Sequence, residues 1–160
     1  MMSNDKLEID TSNSEVSFSV KKLGILTVKG HLSDLKGEIV FNEKDLNNSF
    51  FNVSIGSSTV DTGNQKRDEH LRSKDFFHVK EHPKINFISS SIEEVNGHYQ
   101  VIGNLTLLKT TKQVVVPFTY NDKTLNGQFS LNRKEFGLGA KFPALVVGKT
   151  IQISINCKIK

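Results

Sequence analysis

Residues 59–77, which read TVDTGNQKRDEHLRSKDFF, are the part of this 160-residue chain that decides its fold. The segment is polar, and it interrupts a chain that otherwise alternates between apolar and polar residues as strands do. Because ordering such a segment costs backbone entropy, a compact β protein keeps one for a function or for a specific structural closure. Its helical pattern runs from Lys66 to Ser73, with Asn64 placed to cap it. We therefore expect one short helix in a long crossover segment.

Period-two alternation recurs on both sides of this segment. In the first example, Val16, Phe18 and Val20 point one way and the serines between them point the other. The pattern predicts strands near residues 15–21, 27–35, 37–42, 50–58, 84–94, 98–108, 113–120 and 127–133, with a further one at 150–158; the second and third could be one bent strand. Each strand has one apolar face.

Turn signals separate the strands. Asn96-Gly97 predicts a type I′ hairpin, and Asn121-Asp122 and Asn126-Gly127 predict further turns.

Strands with a single apolar face form either a two-sheet sandwich or a sheet closed on itself, and closure removes exposed edges. A closed barrel of about eight strands has an interior that side chains fill or that holds one small ligand. The length suits a single domain, residues 1–160.

Several classes of protein are disfavoured by composition. The single cysteine, Cys157, excludes an internal disulfide and a cysteine-based metal site, and its strand pattern predicts a small buried side chain. Residues 1–15 contain no apolar run typical of a signal peptide, and no window is apolar enough for a membrane span. These features predict a cytoplasmic protein, or a periplasmic one if a leader has been removed.

Charge is distributed unevenly along the chain. Net charge is +4, but residues 109–160 carry nine basic and two acidic residues. Such a basic third can bind an anionic surface, but we favour the simpler interpretation that these residues are solvated tips and outer faces of strands. No aromatic-flanked basic motif of the RNA-binding kind is present, so we expect no nucleic-acid partner. The sequence leaves open a peripheral contact with an anionic membrane, and a homodimer.

A set of motifs in a fixed order resembles one known family. They are Val20-Lys21-Lys22-Leu23-Gly24, Gly30, Val60-Asp61-Thr62-Gly63-Asn64, Arg67-Asp68, His70-Leu71, Phe76-Phe77, Pro83 with Phe87, Gly103-Asn104-Leu105-Thr106, Thr111-Lys112, and Arg133 with Phe136-Gly137. Together they cover nearly the whole chain and resemble the YceI-like family. Lys109-Thr110 departs from that pattern, since the family often has a glycine and a small apolar residue there.

This resemblance implies an all-β protein: a closed, antiparallel, eight-stranded, lipocalin-like β-barrel. It also implies a non-enzymatic function without a cofactor, in which the barrel lumen holds an isoprenoid lipid such as a polyprenyl or isoprenoid-quinone chain for sequestration or transport. Tilted strands of about nine residues line a lumen about 20 to 25 Å tall, which suits an elongated apolar tail. The candidate ligand-binding residues are Phe18, Val20, Ile39, Phe41, Val53, Ile55, Phe76, Phe77, Phe87, Leu105, Val114, Val116, Phe129, Ile153 and Ile155.

The polar residues of the crossover segment have two interpretations. Asp61, Arg67, Asp68 and His70 could surround the barrel mouth and receive a polar head group. Alternatively, they anchor the loop, with the aspartates accepting from backbone N–H groups and Arg67 paired to a carboxylate. We favour the anchoring role. In either case the phenylalanines at 76 and 77 are expected to plug the mouth.

Two other functions remain as alternatives. The first is a filled-core barrel that acts as an interaction module and docks on anionic surfaces. The second is a zinc peptidase, because His78, Glu81 and His82 fit the H-x-x-E-H pattern. That chemistry requires a helix, whereas Pro83 disfavours helical backbone at the preceding residue and a strand follows. We therefore expect no metal site and no catalytic residues.

Overall fold

A computed structural model describes residues 5–160 as one antiparallel sheet with two short helices. The strands are β1 (Lys6–Leu7), β2 (Glu15–Lys22), β3 (Leu26–Leu32), β4 (Lys36–Val40), β5 (Phe50–Gly56), β6 (Lys84–Val95), β7 (His98–Leu107), β8 (Thr110–Asn121), β9 (Thr124–Asn132) and β10 (Val147–Lys158). The helices are α1 (Gln65–Arg72) and α2 (Arg133–Phe136). No helix among these residues is long and apolar enough to cross a membrane. The first four residues of the predicted domain lie outside the described part.

The sheet has ten strands in the order β1-β4-β5-β6-β7-β8-β9-β10-β2-β3. It is curled, and isolated bridges join its two ends: Ile9 pairs with Ile159, and His31 pairs with Asp61. The all-β prediction is confirmed, and the two-sheet alternative is not. The eight-stranded closed barrel is not confirmed, because there are ten strands and the ladder itself ends at β1 and β3. Sequence alternation missed β1, since a strand of two residues is too short to show it.

Strand pairing places the alternating apolar residues on one face. On β2 and β10, Phe18 lies opposite Ile153, and Ile153 also lies opposite Phe129 on β9. On β5 and β6, Val53 lies opposite Phe87. Because successive strands present matched apolar positions to the same side, the curled sheet surrounds an apolar interior.

Two of the predicted turns had different outcomes. Asn96 and Gly97 both have positive φ, 52° and 82°, as the predicted type I′ turn requires. The prediction of a turn at Asn126-Gly127 is wrong, because both residues lie inside β9. A Cβ on Gly127 would lie 3.1 Å from a methyl carbon of Val116, so the glycine serves close packing across the interior.

The predicted helix is present and a second one was not predicted. Asn64 caps α1 by accepting a hydrogen bond from the Arg67 amide at 3.0 Å, as expected. The short helix α2 is a single turn after β9, capped by Asn132 and ended by Gly137 at a φ of 74°. One turn is too short to produce a helical period in the sequence.

Cys157 is buried, as its strand pattern predicted. Burial raises the pKa of its thiol to about 11, against an ordinary value of 9.0. At pH 8 the Cys157 side chain is therefore a thiolate, the form that attacks disulfides, in only about one molecule in a thousand. We expect Ellman's reagent to modify the native protein much more slowly than the urea-unfolded protein. Equal rates in the two states would show that the thiol is accessible.

Candidate functional site

An apolar cavity of about 410 Å³ lies inside the curled sheet. Its volume falls within the range of about 300 to 1,000 Å³ that is typical of small-molecule sites. Strands β2 to β10, together with α1 and the residues that follow both helices, contribute its walls. The interior is therefore hollow, which contradicts the filled core that the interaction-module alternative requires.

Most of the predicted apolar site residues line this cavity. All fifteen do so except Phe41 and Val114. Phe41 directly follows β4 and packs instead in an aromatic cluster, with ring centroids 5.2 Å from Tyr99 and 5.7 Å from Phe118. Val114 packs beside the two apolar clusters of the interior without reaching the cavity wall. Alternation shows which face of the sheet a side chain lies on, but it does not show which positions along the strand border the cavity.

Sequence reasoning missed other lining residues. Leu107, Leu131 and Ile151 continue the alternation of predicted neighbours and could have been found from it. Phe142 and Val146 come from the loop at residues 137–146, which joins α2 to β10. That loop has no regular period, so the sequence contains no signal that would place it over the cavity.

Exposed residues of the cavity wall include Lys21, Lys22, His70 and Val146, and we call this part of the wall the mouth. Two segments meet there through an aromatic stack. The ring of Phe76, just after α1, stacks on Phe142 with centroids 5.1 Å apart and an interplanar angle of 12°. The His70 ring packs edge-on against Phe76, with centroids 5.2 Å apart. Phe77 also lines the cavity and belongs to the buried cluster beneath the stack. These contacts are consistent with the plug predicted from the sequence.

A carboxylate fastens the same two segments. Asp75 Oδ2 lies 2.9 Å from His70 Nε2 and 3.0 Å from Lys141 Nζ. The hydrogen bond with His70 is the largest cause, and that with Lys141 the second, of a pKa of Asp75 below its ordinary value of 3.8. Because the carboxylate form is the one stabilised, the contact is complete above pH 3.8 and is lost as pH falls through the lowered pKa.

Removing this carboxylate is expected to loosen the mouth. In Asp75→Asn, amide hydrogen exchange in residues 137–146 should become several-fold faster at neutral pH, because Lys141 loses its anionic partner. Glu69→Gln removes the same charge from the exposed side of α1 and should leave that exchange unchanged. Equal protection in Asp75→Asn and wild type would show that the carboxylate does not hold the loop.

The four polar residues proposed for the crossover segment separate into two pairs. Asp68 is buried and accepts hydrogen bonds from the Thr62 amide and hydroxyl at 2.9 and 2.6 Å. Asp61 accepts one from the Gly63 amide, so both aspartates anchor the loop and neither lines the cavity. Arg67 and His70 do line it.

Among residues 5–160, Arg67 has no carboxylate partner of the kind that the anchoring interpretation predicted. Its Nε donates to the Thr62 hydroxyl at 2.8 Å and its Nη2 to the Thr62 carbonyl at 3.0 Å. The guanidinium is thus held against its own loop by neutral groups at the cavity wall.

Five basic residues line the cavity: Lys21, Lys22, Arg67, His70 and Arg133. No carboxylate from residues 5–160 joins them in the wall. Arg133, only 1% exposed, donates five hydrogen bonds, and all the acceptors are backbone carbonyls of residues 138–148. Burial lowers its pKa, but a guanidinium stays protonated. The wall itself therefore contains basic side chains and no acidic one, and the Asp75 carboxylate contacts it from outside through His70.

The H-x-x-E-H residues meet on one turn outside the cavity. The His82 amide donates to the His78 carbonyl at 2.9 Å, and Glu81 Oε2 lies 3.7 Å from His78 Nδ1 and 4.0 Å from His82 Nε2. Their ligand atoms lie within 4.8 Å of one another, close enough to hold a metal ion, so the expectation of no metal site stays a prediction. A peptidase would still need Glu81 free as its base. No other His, Cys, Asp or Glu of the described chain joins the cluster as a third ligand.

Comparison with known proteins agrees with the fold. A family model described as the YceI-like domain matches residues 7–159. A UPF0312 protein of Pectobacterium atrosepticum is 35% identical over 109 residues, which are 68% of this chain and 57% of that protein. One from Photorhabdus laumondii is 32% identical, over 72% of this chain and 60% of its own length. The matches thus span less than two thirds of these relatives.

Solved structures share the same architecture. BcnA of Burkholderia cenocepacia superposes with a TM-score of 0.86 at 24% identity, covering 94% of this chain and 98% of BcnA. A polyisoprenoid-binding domain from Saccharophagus degradans gives a TM-score of 0.73 at 13% identity, covering 98% of each chain. At these identities the likeness establishes the fold alone. With the family model matching nearly the whole chain, this protein belongs to the YceI-like family.

Proposed function

We propose that this protein binds an isoprenoid lipid, a polyprenyl or isoprenoid-quinone chain, in its apolar cavity and sequesters or transports it without catalysis. The observation that carries the proposal is the hollow apolar interior, with walls from strands β2 to β10. The Saccharophagus degradans neighbour, described as a polyisoprenoid-binding domain, supports the choice of ligand class. An isoprenoid tail needs a dry, elongated site, since its affinity comes from apolar surface removed from water.

In this proposal the curled sheet acts as a closed barrel around the tail. The bridges from Ile9 to Ile159 and from His31 to Asp61 bring the sheet ends together, and the Gly56 amide adds a hydrogen bond to the Ser33 carbonyl at 3.1 Å. Residues 5–160 would then work as one binding domain. A tail held inside is shielded from water on all sides.

The head group of the lipid would lie at the mouth, beside Arg67 and His70. Both line the cavity, and Arg67 is held in place by Thr62. A guanidinium and an imidazole can donate hydrogen bonds to a carbonyl, hydroxyl or phosphate oxygen. The aromatic stack of Phe76 and Phe142 would separate the head from the buried tail.

Affinity should depend on tail length. At about 0.3 kcal/mol per heavy atom, each five-carbon isoprene unit contributes roughly 1.5 kcal/mol, or about tenfold in affinity. We expect Kd to fall by about that factor for each added unit until the cavity is full, and then to level off. Competition assays with prenyl alcohols of increasing length test this. An affinity that does not change with length would contradict a tail bound in the cavity.

Extraction of the purified protein tests the function itself. We expect organic extracts to contain a polyprenyl species in roughly stoichiometric amount by mass spectrometry, or the emptied protein to take up added isoprenoid quinone. A control protein purified from the same cells in the same way corrects for lipid carried over. A clean extract together with no uptake would overturn the proposal.

A further inference from the structure

A cluster of exposed apolar side chains lies beside the part of the cavity wall formed by Lys21, Lys22 and Val146. Ile25 and Leu26, at the tip of the β2–β3 hairpin, are 82% and 59% exposed, and Leu23 beside them is 57% exposed. Leu145 and Val146, in the loop before β10, are 84% and 37% exposed. These are five of the eight strongly exposed large apolar residues in the described chain, so they are concentrated here rather than scattered.

The two tips form one surface. The Leu23 amide donates a hydrogen bond to the Val146 carbonyl at 3.0 Å, and Lys22 lies opposite Val147 in the ladder between β2 and β10. We call these five residues, Leu23, Ile25, Leu26, Leu145 and Val146, the tip patch. Val146 belongs both to the patch and to the cavity wall, so the patch is continuous with the opening.

The two chain segments that form the tip patch carry basic residues and no acidic ones, although Asp75 pairs with Lys141 of the second segment at 3.0 Å. Residues 16–33 contain Lys21, Lys22 and Lys29 and no acidic residue, and residues 136–160 after α2 contain no acidic residue either. Lys141 and Lys149 flank the second tip. An apolar surface bordered by lysines complements a lipid interface, where apolar side chains enter the acyl boundary and lysines contact anionic head groups.

We propose that the tip patch docks the protein on an anionic membrane with the cavity mouth facing the bilayer. The choice of a membrane over a protein partner rests on the proposed function, because an isoprenoid tail is stored in a bilayer. With the mouth against the membrane, the tail passes between the bilayer and the cavity without crossing water. The lysines at the mouth, Lys21 and Lys22, then lie at the depth of the lipid head groups.

Flotation with vesicles tests the docking. Vesicles of phosphatidylcholine mixed with phosphatidylglycerol should bind the wild-type protein, and binding should weaken as salt is added because the lysine contacts are screened. Ile25→Ser with Leu145→Ser should weaken the partition at least about tenfold, since both side chains would otherwise be buried in the interface. Ile88→Ser with Val115→Ser removes two exposed apolar residues, 53% and 44% exposed, from the outer face of the sheet away from the patch, and should bind like wild type.

The remaining outcomes each decide the question. Absence of wild-type binding, or equal loss in the tip and control variants, would overturn the proposal. A wild-type dimer that becomes monomeric in the tip variant while vesicles stay unbound would assign the patch to a second copy instead. Uptake of an isoprenoid delivered in detergent separates docking from lipid binding. The tip variant should keep that uptake, whereas failure of uptake with intact docking would contradict the proposed function alone.

Discussion

Val53→Trp is expected to reduce isoprenoid affinity between about tenfold and a hundredfold while the protein remains folded. Val53 lies on β5 opposite Phe87, half-buried, with its side chain in the cavity wall. An indole in its place would occupy the volume of one or two isoprene units, each contributing roughly 1.5 kcal/mol. Because the indole extends into empty space, the free energy of unfolding should change by less than the 1 to 3 kcal/mol typical of overpacking a full core.

The neighbouring residue provides the matched control. Asn52 on the same strand is exposed and faces outward, so Asn52→Trp adds the same ring without entering the cavity. Displacement of a fluorescent prenyl probe gives the affinities, and urea unfolding gives the stabilities. If Val53→Trp unfolds, Ile153→Phe on β10 tests the same wall. Unchanged affinity in a folded cavity variant would mean that the tail lies elsewhere.

Arg133→Met is expected to lower the free energy of unfolding by about 3 to 5 kcal/mol. The guanidinium donates to the carbonyls of Leu138, Gly139, Phe142, Val147 and Gly148, at 2.6 to 3.1 Å. Hydrogen bonds from a charged donor contribute about 1.5 to 3 kcal/mol each, and the loss is less than their sum because some freed carbonyls can bind water. The loop that carries Phe142 over the cavity would lose its central support.

Two further variants separate charge from geometry. Arg133→Lys keeps the charge but cannot reach five acceptors with one ammonium group, so it should also be strongly destabilised. Lys149→Met removes an exposed charge from β10 and should change stability little. Urea midpoints measure all three. A loss below about 1 kcal/mol in Arg133→Met would contradict the role of the guanidinium as the organiser of the loop.

The parts of the fold that depend on local chemistry could be predicted from the sequence. Alternation at Val16, Phe18 and Val20 identified an inward face, and the residues from Asn64 to Ser73 identified a capped helix. The Asn96-Gly97 turn followed from the positive φ that both residues tolerate. These signals succeed because each depends on residues close together in the chain.

The mouth of the cavity could not be predicted in the same way. Arg133 is the most buried charged residue, although an arginine after a strand is normally exposed. Its partners are backbone carbonyls, which have no sequence signature. Likewise, the stack of Phe76 on Phe142 joins residues 66 positions apart through a loop without a period. Contacts of this kind depend on how the whole sheet curls.

The most direct test of a lipid tail inside the cavity is an isotope-filtered NOE experiment on the labelled protein with an unlabelled prenyl lipid. The account predicts NOEs from the tail protons to methyl groups of Val53, Ile55 and Ile153, and none to Val115, which is exposed on the outer face. Contacts confined to Val115 or to other outer residues, with the inner methyls silent at saturating lipid, would contradict it.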